Sequence, residues 1–205
     1  MRILAIDTST TRGGVALLDD ERVLLDETFI AERSHESELM PLLQRARELV
    51  EKFDIIAVGI GPGSYAGIRI AIATAMGLQM ALDSRLIGIP SVAALETDVR
   101  GYLAVGDARR DTFYFSKVED GHCLEGPLLF DEAALRARLA DLKDWPVLVS
   151  EPLAIVPVAI VAKPCALRLA RLAARGRSIV AEGALEPLYL REPHITMPKA
   201  RTANP

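Results

Sequence analysis

Short runs of apolar residues mark the strands in the first half of the chain. Residues 2–6 form such a run, and its length is typical of a buried strand. Residues 15–18 and 23–30 flank a polar turn, which predicts a β-hairpin directly after the first strand. Residues 55–60 and 86–89 are further apolar runs of strand length. We therefore expect five strands in this half.

Two segments between these strands carry helical patterns. Apolar residues recur three or four positions apart across residues 39–53, and Pro41 places the start of this helix close before it or bends its first turn. Residues 64–82 are instead apolar on every side, so this helix must be covered by its own sheet or by another protein. Because Arg69 and Gln79 interrupt the segment, we interpret it as a buried helix rather than a membrane span.

The second half of the chain repeats the first at a spacing of about 100 residues. Residues 103–107 (LAVGD) resemble residues 4–7 (LAID). The elements predicted in this half are strands at 102–107, 112–118, 127–130 and 147–150 and helices at 131–142 and 166–174. The pattern predicts an α/β protein with mixed sheets in two subdomains, residues 1–98 and a shorter 99–191, followed by a mobile tail at 192–205.

The composition excludes several classes of protein. Apolar residues make up 50% of the 205-residue chain and aromatic residues 5%, so we expect an aliphatic core rather than a disordered or collagen-like chain. The net charge of −4 argues against a dedicated binder of nucleic-acid backbones, which is usually basic. Cys123 and Cys165 form no CxxC pair, and the opening apolar run is too short for a signal peptide, so we expect a cytoplasmic protein.

Two segments are candidates for binding phosphate. Asp7, Thr8, Ser9 and Thr10 follow the first strand, and such a turn can hold a Mg²⁺-bound phosphate. The same residues also close a hairpin as an Asx or Ser/Thr turn, which the chemistry alone favours.

The second candidate is the glycine-rich loop at residues 61–67 (GPGSYAG), which follows a predicted strand and begins a helix. The free N–H groups of Gly61 and Gly63 would attract anions at this position. The loop has neither the Lys-Ser/Thr of a Walker A motif nor GxGxxG spacing. Close packing of helix against strand explains the glycines equally well.

The remaining reactive residues do not form recognisable sites. His35, His122 and His194 are dispersed without a metal-binding spacing, and the chain has no GxSxG motif. Residues 107–111 (DARRD) are a mirrored phosphate turn or, more commonly, a solvated turn. We therefore predict no catalytic residue and no metal site.

Five sequence blocks resemble the TsaB (YeaZ) family. They are MRILAIDTST at residues 1–10, HESELMP at 35–41, GPGSYAGIR at 61–69, DAR at 107–109 with Tyr114, and EPLYLR at 186–191. They occur in the family's order across nearly the whole chain, and GPGSYAGIR is the most specific of them.

The resemblance implies a fold of the actin, hexokinase and heat-shock ATPase kind, with two ribonuclease-H-like subdomains of mixed sheets flanked by helices. It also implies a subunit that works with a catalytic TsaD-like paralogue and a TsaE-like ATPase to make threonylcarbamoyladenosine beside the tRNA anticodon. The paralogue holds a metal with an HxxxH helix, whereas here Leu39 stands four residues after His35. The resemblance therefore implies a non-catalytic dimerisation or scaffold subunit that reaches tRNA only through its partner, without contact with a membrane.

The family contacts its partner through two helices, which correspond here to residues 38–52 and 64–82. The apolar residues that we assign to this interface are Leu39, Leu42, Leu43, Ile68, Ile72, Met76 and Met80. Without its partner, the helix pair is expected to form a homodimer. Ser9 stands where a nucleotide-binding relative has glycine, so we expect no required cofactor and at most weak binding of ATP or ADP with Mg²⁺.

Two alternative functions remain open. The first is a small-molecule kinase of the same superfold that uses Mg-ATP, with Asp7 as its metal anchor. The second is a glycoprotease-like peptidase, for which the sequence supplies neither a nucleophile with a base nor a metal motif.

Overall fold

The computed structural model describes residues 1–31 and 35–190. The first half contains β1 (Arg2–Asp7), β2 (Arg12–Asp19), β3 (Arg22–Ile30), α1 (His35–Leu49), β4 (Ile55–Gly59), α2 (Tyr65–Leu82), β5 (Arg85–Ile89) and a 3₁₀ turn (Ser91–Ala94). The rest contains β6 (Gly101–Asp107), β7 (Thr112–Glu119), β8 (His122–Asp131), α3 (Glu132–Asp141), β9 (Val147–Val149), β10 (Ile160–Val161), α4 (Ala166–Ala174) and β11 (Ala181–Glu182).

The two sheets share one topology. The first has the strand order β11-β5-β4-β1-β2-β3, and the second has the order β10-β9-β6-β7-β8. In each, three consecutive antiparallel strands are followed by two strands parallel to the first of them. This repeated arrangement is the ribonuclease-H-like subdomain of actin-like and hexokinase-like proteins, so the predicted fold class is confirmed.

The central strand β1 is covered on both faces. Leu4 and Ile6 belong to the cluster that packs against α1 and α2, whereas Ile3 and Ala5 belong to the cluster that packs against α4. A strand covered on two faces has no room for polar residues, which explains why β1 reads as one continuous apolar run.

The second sheet is covered less completely. Its α3 packs on β7 and β8 as α1 packs on β2 and β3. The segment between β9 and β10, all of it described, contains turns but no helix. The second half therefore lacks a counterpart of α2.

The end of the described chain returns to the first sheet. α4 packs on β1, β2 and β4, and β11 pairs antiparallel with β5. Residues 166–182 therefore depart from the predicted division, which assigned them to the subdomain at 99–191. Strand patterns could not reveal this return, because β11 is only two residues long. The division after residue 98 stays a prediction, and the predicted tail at 192–205 lies outside the described residues.

The two helices of the first half differ from their predicted forms. α1 begins at His35, before the predicted apolar stripe, because Glu36 and Glu38 stabilise a polar first turn at the positive end of the helix dipole. It ends at Leu49, also earlier than predicted. α2 has nearly the predicted bounds and is long and apolar enough to cross a membrane, a test that core helices of other proteins also pass. Only 28% of the α2 residues are buried within this chain, so the interpretation of α2 as a helix buried in its own fold is wrong, and its cover by another protein stays a prediction.

Candidate functional site

The turn after β1 is closed by a buried carboxyl group. Asp7 is 2% exposed, and its Oδ1 accepts hydrogen bonds from the backbone N–H of Ser9 at 2.9 Å and from the Ser9 hydroxyl at 2.6 Å. Its Oδ2 has no hydrogen-bond partner among the described residues. Burial raises the pKa of Asp7, and the hydroxyls of Ser9 and Ser91 lower it in part. The geometry is that of an Asx turn.

The glycine-rich loop packs directly on this turn. The backbone N–H of Ser64 donates to the carbonyl oxygen of Ser9 at 2.6 Å, and the Thr8 hydroxyl donates to the carbonyl oxygen of Gly67 at 2.7 Å. A Cβ atom on Gly63 would lie 2.1 Å from the Ser9 oxygen. The backbones therefore touch only because these positions are glycine.

The other members of the predicted phosphate site are also held by backbone contacts. The N–H of Gly61 donates to the Ser91 hydroxyl at 3.1 Å, and the Thr10 hydroxyl donates to the carbonyl oxygen of Arg12 at 2.8 Å. The structure thus brings the turn at residues 7–10 and the glycine loop together. The two candidate phosphate-binding segments contact each other through their backbones, and their role in binding phosphate stays a prediction.

His35 joins the same contact from α1. Its Nε2 lies 2.8 Å from the carbonyl oxygen of Thr10, and its ring packs edge-on against Phe29 with 6.3 Å between ring centroids. His35 therefore anchors the start of α1 to the turn after β1. Within the described parts of the chain, no three His, Cys, Asp or Glu side chains are grouped as metal ligands.

The corresponding turn of the second half is open to solvent. The Oδ1 of Asp107 accepts a hydrogen bond from the N–H of Arg109 at 2.6 Å, as Asp7 does from Ser9. Asp107 is exposed, however, and Arg109, Arg110 and Asp111 all adopt left-handed backbone conformations. Of the two interpretations given for residues 107–111, the structure therefore matches the solvent-exposed turn.

The predicted partner interface is divided between the core and the surface. Leu39, Leu43, Ile68 and Ile72 are buried in the core of the first sheet, so their assignment to an exposed interface is wrong. Helical periodicity places them on the faces that cover the sheet, and Leu42 is partly buried against them. Met76 and Met80 are exposed, at 37% and 86%.

A groove lies between α1 and α2. Its volume is about 690 Å³. It is lined by Ser37, Met40, Pro41, Leu43, Gln44 and Arg47 of α1 and by Ala73, Thr74, Gly77 and Leu78 of α2. A Cβ atom on Gly77 would meet nothing within 4 Å, so the small residues of α2 leave its outer side open. This α1–α2 groove combines apolar and polar lining residues on the outer side of the helix pair.

Sequence reasoning missed two members of this face. Met40 is exposed and lines the groove. It follows Leu39 directly in the sequence but lies outside the apolar stripe of α1, so its exposure could have been recognised from the helical periodicity. Tyr65 stacks on Tyr189 with 5.7 Å between ring centroids, and Arg69 lies 5.1 Å over the Tyr65 ring. This contact joins two of the sequence blocks, and no local pattern could have predicted it.

Comparisons with known proteins agree with these features. The model of the family described as "TsaD: tRNA N6-adenosine threonylcarbamoyltransferase" matches residues 29–131, half of the chain. The Escherichia coli tRNA threonylcarbamoyladenosine biosynthesis protein TsaB is 28% identical, over 93% of this chain and 95% of its own. The Bacillus subtilis protein of the same name is 30% identical, over 72% of this chain and 69% of its own.

A solved structure extends the similarity to the whole fold. YeaZ from Pseudomonas aeruginosa superposes with a TM-score of 0.72 and 28% sequence identity. The match covers 92% of this chain and 99% of the YeaZ chain.

Proposed function

The chain belongs to the TsaB family, and from that premise we propose that it is a non-catalytic subunit of the machinery that makes threonylcarbamoyladenosine in tRNA. The relatives in Escherichia coli and Bacillus subtilis are named as biosynthesis proteins of this nucleoside. The chain would support a TsaD-like catalytic partner and act together with a TsaE-like ATPase.

The exposed apolar face of the α1–α2 groove is the observation that carries this proposal. Met40 lines the groove, Met76 and Met80 are exposed on the same helix pair, and exposed apolar surface of this kind marks protein–protein contacts. Methionine side chains are flexible and polarizable, so they adapt to a partner's surface. The partner would cover a face that water covers in the free chain.

A TsaD-like protein fits this face by its own fold. The TsaD family model matches residues 29–131 of this chain, which include α1 and α2. A TsaD-like partner is therefore expected to carry an equivalent helix pair, and two such pairs can pack around an approximate two-fold axis.

The packing of the glycine loop supports a subunit that needs no nucleotide of its own. Gly63 and Ser9 leave no space for a phosphate group between them, since a single added Cβ would lie 2.1 Å from the Ser9 oxygen. This contact argues against the kinase alternative. Calorimetry with Mg-ATP should accordingly give no heat of tight binding, whereas tight binding that Asp7→Ala abolishes would favour the kinase.

The decisive experiment measures binding to the TsaD-like protein of the same organism. Met80→Glu places a charge on the exposed surface of α2 that we assign to the contact, and we expect at least a hundredfold weaker binding by calorimetry because the charge must be desolvated there. Leu124→Glu is the matched control, because Leu124 is also exposed but lies on β8 of the second sheet. It should bind like the unchanged chain.

The cellular counterpart measures the modified nucleoside by mass spectrometry of total tRNA. Depletion of the chain should lower threonylcarbamoyladenosine, and Leu124→Glu, but not Met80→Glu, should restore it. An unchanged nucleoside level after depletion would overturn the proposed function. Equal binding of Met80→Glu and the unchanged chain would overturn the proposed surface.

A further inference from the structure

Five arginines line a cleft at the junction of the two sheets. They are Arg100, Arg168, Arg171, Arg175 and Arg177, and the cleft has a volume of about 320 Å³. It lies at the start of β6, the opposite end of that strand from Asp107. It is therefore separate from the two turns considered above as phosphate sites and from the α1–α2 groove.

Tight contacts between distant segments build this arginine cleft. Arg100 forms a two-pronged ion pair with Asp120 at 2.9 and 2.8 Å, and Arg177 donates to the Asp120 carbonyl oxygen at 3.2 Å. Gly121 of the β7–β8 turn contacts α4 so closely that a Cβ atom there would lie 2.4 Å from Leu172. One side of the cleft is thus formed by the β7–β8 turn of the second sheet and the other by α4, which packs on the first sheet. The two sides are in direct contact.

The positive charge of the cleft exceeds what its own carboxylates neutralise. Asp120 and Asp98 are its two acidic lining residues. Arg100 holds the pKa of Asp120 below its ordinary value, and Arg168 lies 3.7 Å from Asp98. These contacts leave an excess of positive charge in a chain whose net charge is −4.

Two of the arginines are available to a ligand. Arg171 and Arg175 are exposed, and neither forms an ion pair within the described residues. Burial raises the pKa of Asp26 on β3, and Arg171 lowers it in part, but the two form no ion pair. The dipole of α4 favours cations near its last turn, which accounts for Arg171 and Arg175 but not for Arg100 and Arg168.

We propose that the arginine cleft binds a phosphate group. The planar guanidinium fork matches the oxygens of a phosphate, and several forks around one cavity suit a ligand with more than one negative charge. The volume lies in the range of small-ligand sites. The phosphate belongs either to an RNA backbone or to a free phosphate compound, and the same arginines would recognise both.

The test removes the two free arginines together. Arg171→Ala/Arg175→Ala is compared with Arg22→Ala/Lys143→Ala, which removes the same charge from exposed positions outside the cleft. The probes are inorganic pyrophosphate, measured by calorimetry, and an unmodified tRNA transcript, measured by fluorescence anisotropy over a series of salt concentrations. The thermal midpoints of both variants should stay close to that of the unchanged chain, because all four residues are exposed.

We expect the cleft variant to bind at least about tenfold more weakly than the control. If the RNA backbone is the ligand, tRNA binds and the slope of log K against log salt becomes shallower by about 1 to 2 in the cleft variant. If pyrophosphate alone binds, the ligand is a free phosphate compound.

Failure of both probes to bind the unchanged chain, or equal binding by the two variants, overturns the proposal. Neither result bears on the TsaD-like partner, whose contact is measured separately with Met80→Glu.

Discussion

The buried carboxyl group of Asp7 receives its hydrogen bonds from the following turn at only one of its two oxygens. Oδ1 receives two hydrogen bonds from Ser9, whereas Oδ2 is buried without a partner among the described residues. The charged form is therefore poorly solvated, and the folded protein holds the proton more tightly than an exposed aspartate would.

This imbalance predicts a pH-dependent stability. The pKa of Asp7 is raised from 3.8 in the folded state, so its contribution to stability is complete below the unfolded pKa and is lost as the pH rises through the folded pKa. The asparagine of Asp7→Asn cannot ionise, so this variant should not lose stability in this way as the pH rises. Urea denaturation from about pH 4 to about pH 8 should show the variant gaining on the unchanged chain as the pH rises.

Asp107→Asn is the control for this measurement, since Asp107 has the same place in the second half but is exposed. Its stability should follow that of the unchanged chain across the range. A constant difference between Asp7→Asn and the unchanged chain would contradict the buried titration.

Two glycines predict opposite effects of the same substitution. Gly63→Ala forces the Ser9 carbonyl away and should cost about 2 kcal/mol or more of unfolding free energy. Gly77→Ala meets open space inside α2 and should stabilise the chain by about 0.5 to 1 kcal/mol, because glycine is a poor helix former. Urea denaturation measures both, and a neutral Gly63→Ala would show that the loop contact is not tight.

At the scale of elements, α2 shows where sequence patterns stop being informative. Its bounds follow from a long apolar segment with Ser64 as its N-cap. Its orientation does not, because aliphatic residues occur on both sides, and only packing against the sheet selects Ile68 and Ile72 for burial. Met76 and Met80 are exposed whereas Ile68 and Ile72 are buried, although all four side chains are apolar.

The orientation of α2 can be tested with one charge at two positions. Ile72 is 5% exposed, so Ile72→Glu buries an unpaired carboxylate and should lower the unfolding free energy by about 3 kcal/mol or more. Met80→Glu should leave the thermal midpoint within a few degrees, because Met80 is exposed. Equal stability of the two variants would mean that Ile72 does not face the core.

At the scale of the whole molecule, the internal repeat predicted two similar sheets, and their shared strand order confirms it. Long-range contacts could not be predicted in the same way. The glycine loop meets the turn after β1 because β4 lies beside β1, a neighbour relation that no local pattern encodes. Four arginines of the cleft lie close together at residues 168–177 and are visible in the sequence, but only the fold brings Arg100 and the β7–β8 turn beside them.

The exposed α1–α2 groove predicts self-association of the isolated chain. Two copies can cover each other's apolar faces around a two-fold axis, so sedimentation equilibrium at high concentration should detect a dimer. Met80→Glu should remain monomeric, whereas Leu124→Glu should dimerise like the unchanged chain. A monomer at every concentration would contradict the prediction.

The return of α4 and β11 to the first sheet affects how the protein is completed during synthesis. The ribosome releases β1 to β5 early, but the face formed by Ile3, Ala5 and Leu18 stays bare until α4 has been made. The outer edge of β5 likewise waits for β11. The half of the molecule that is translated first is thus the half that is completed last, and a nascent chain exposes its apolar face for most of its translation.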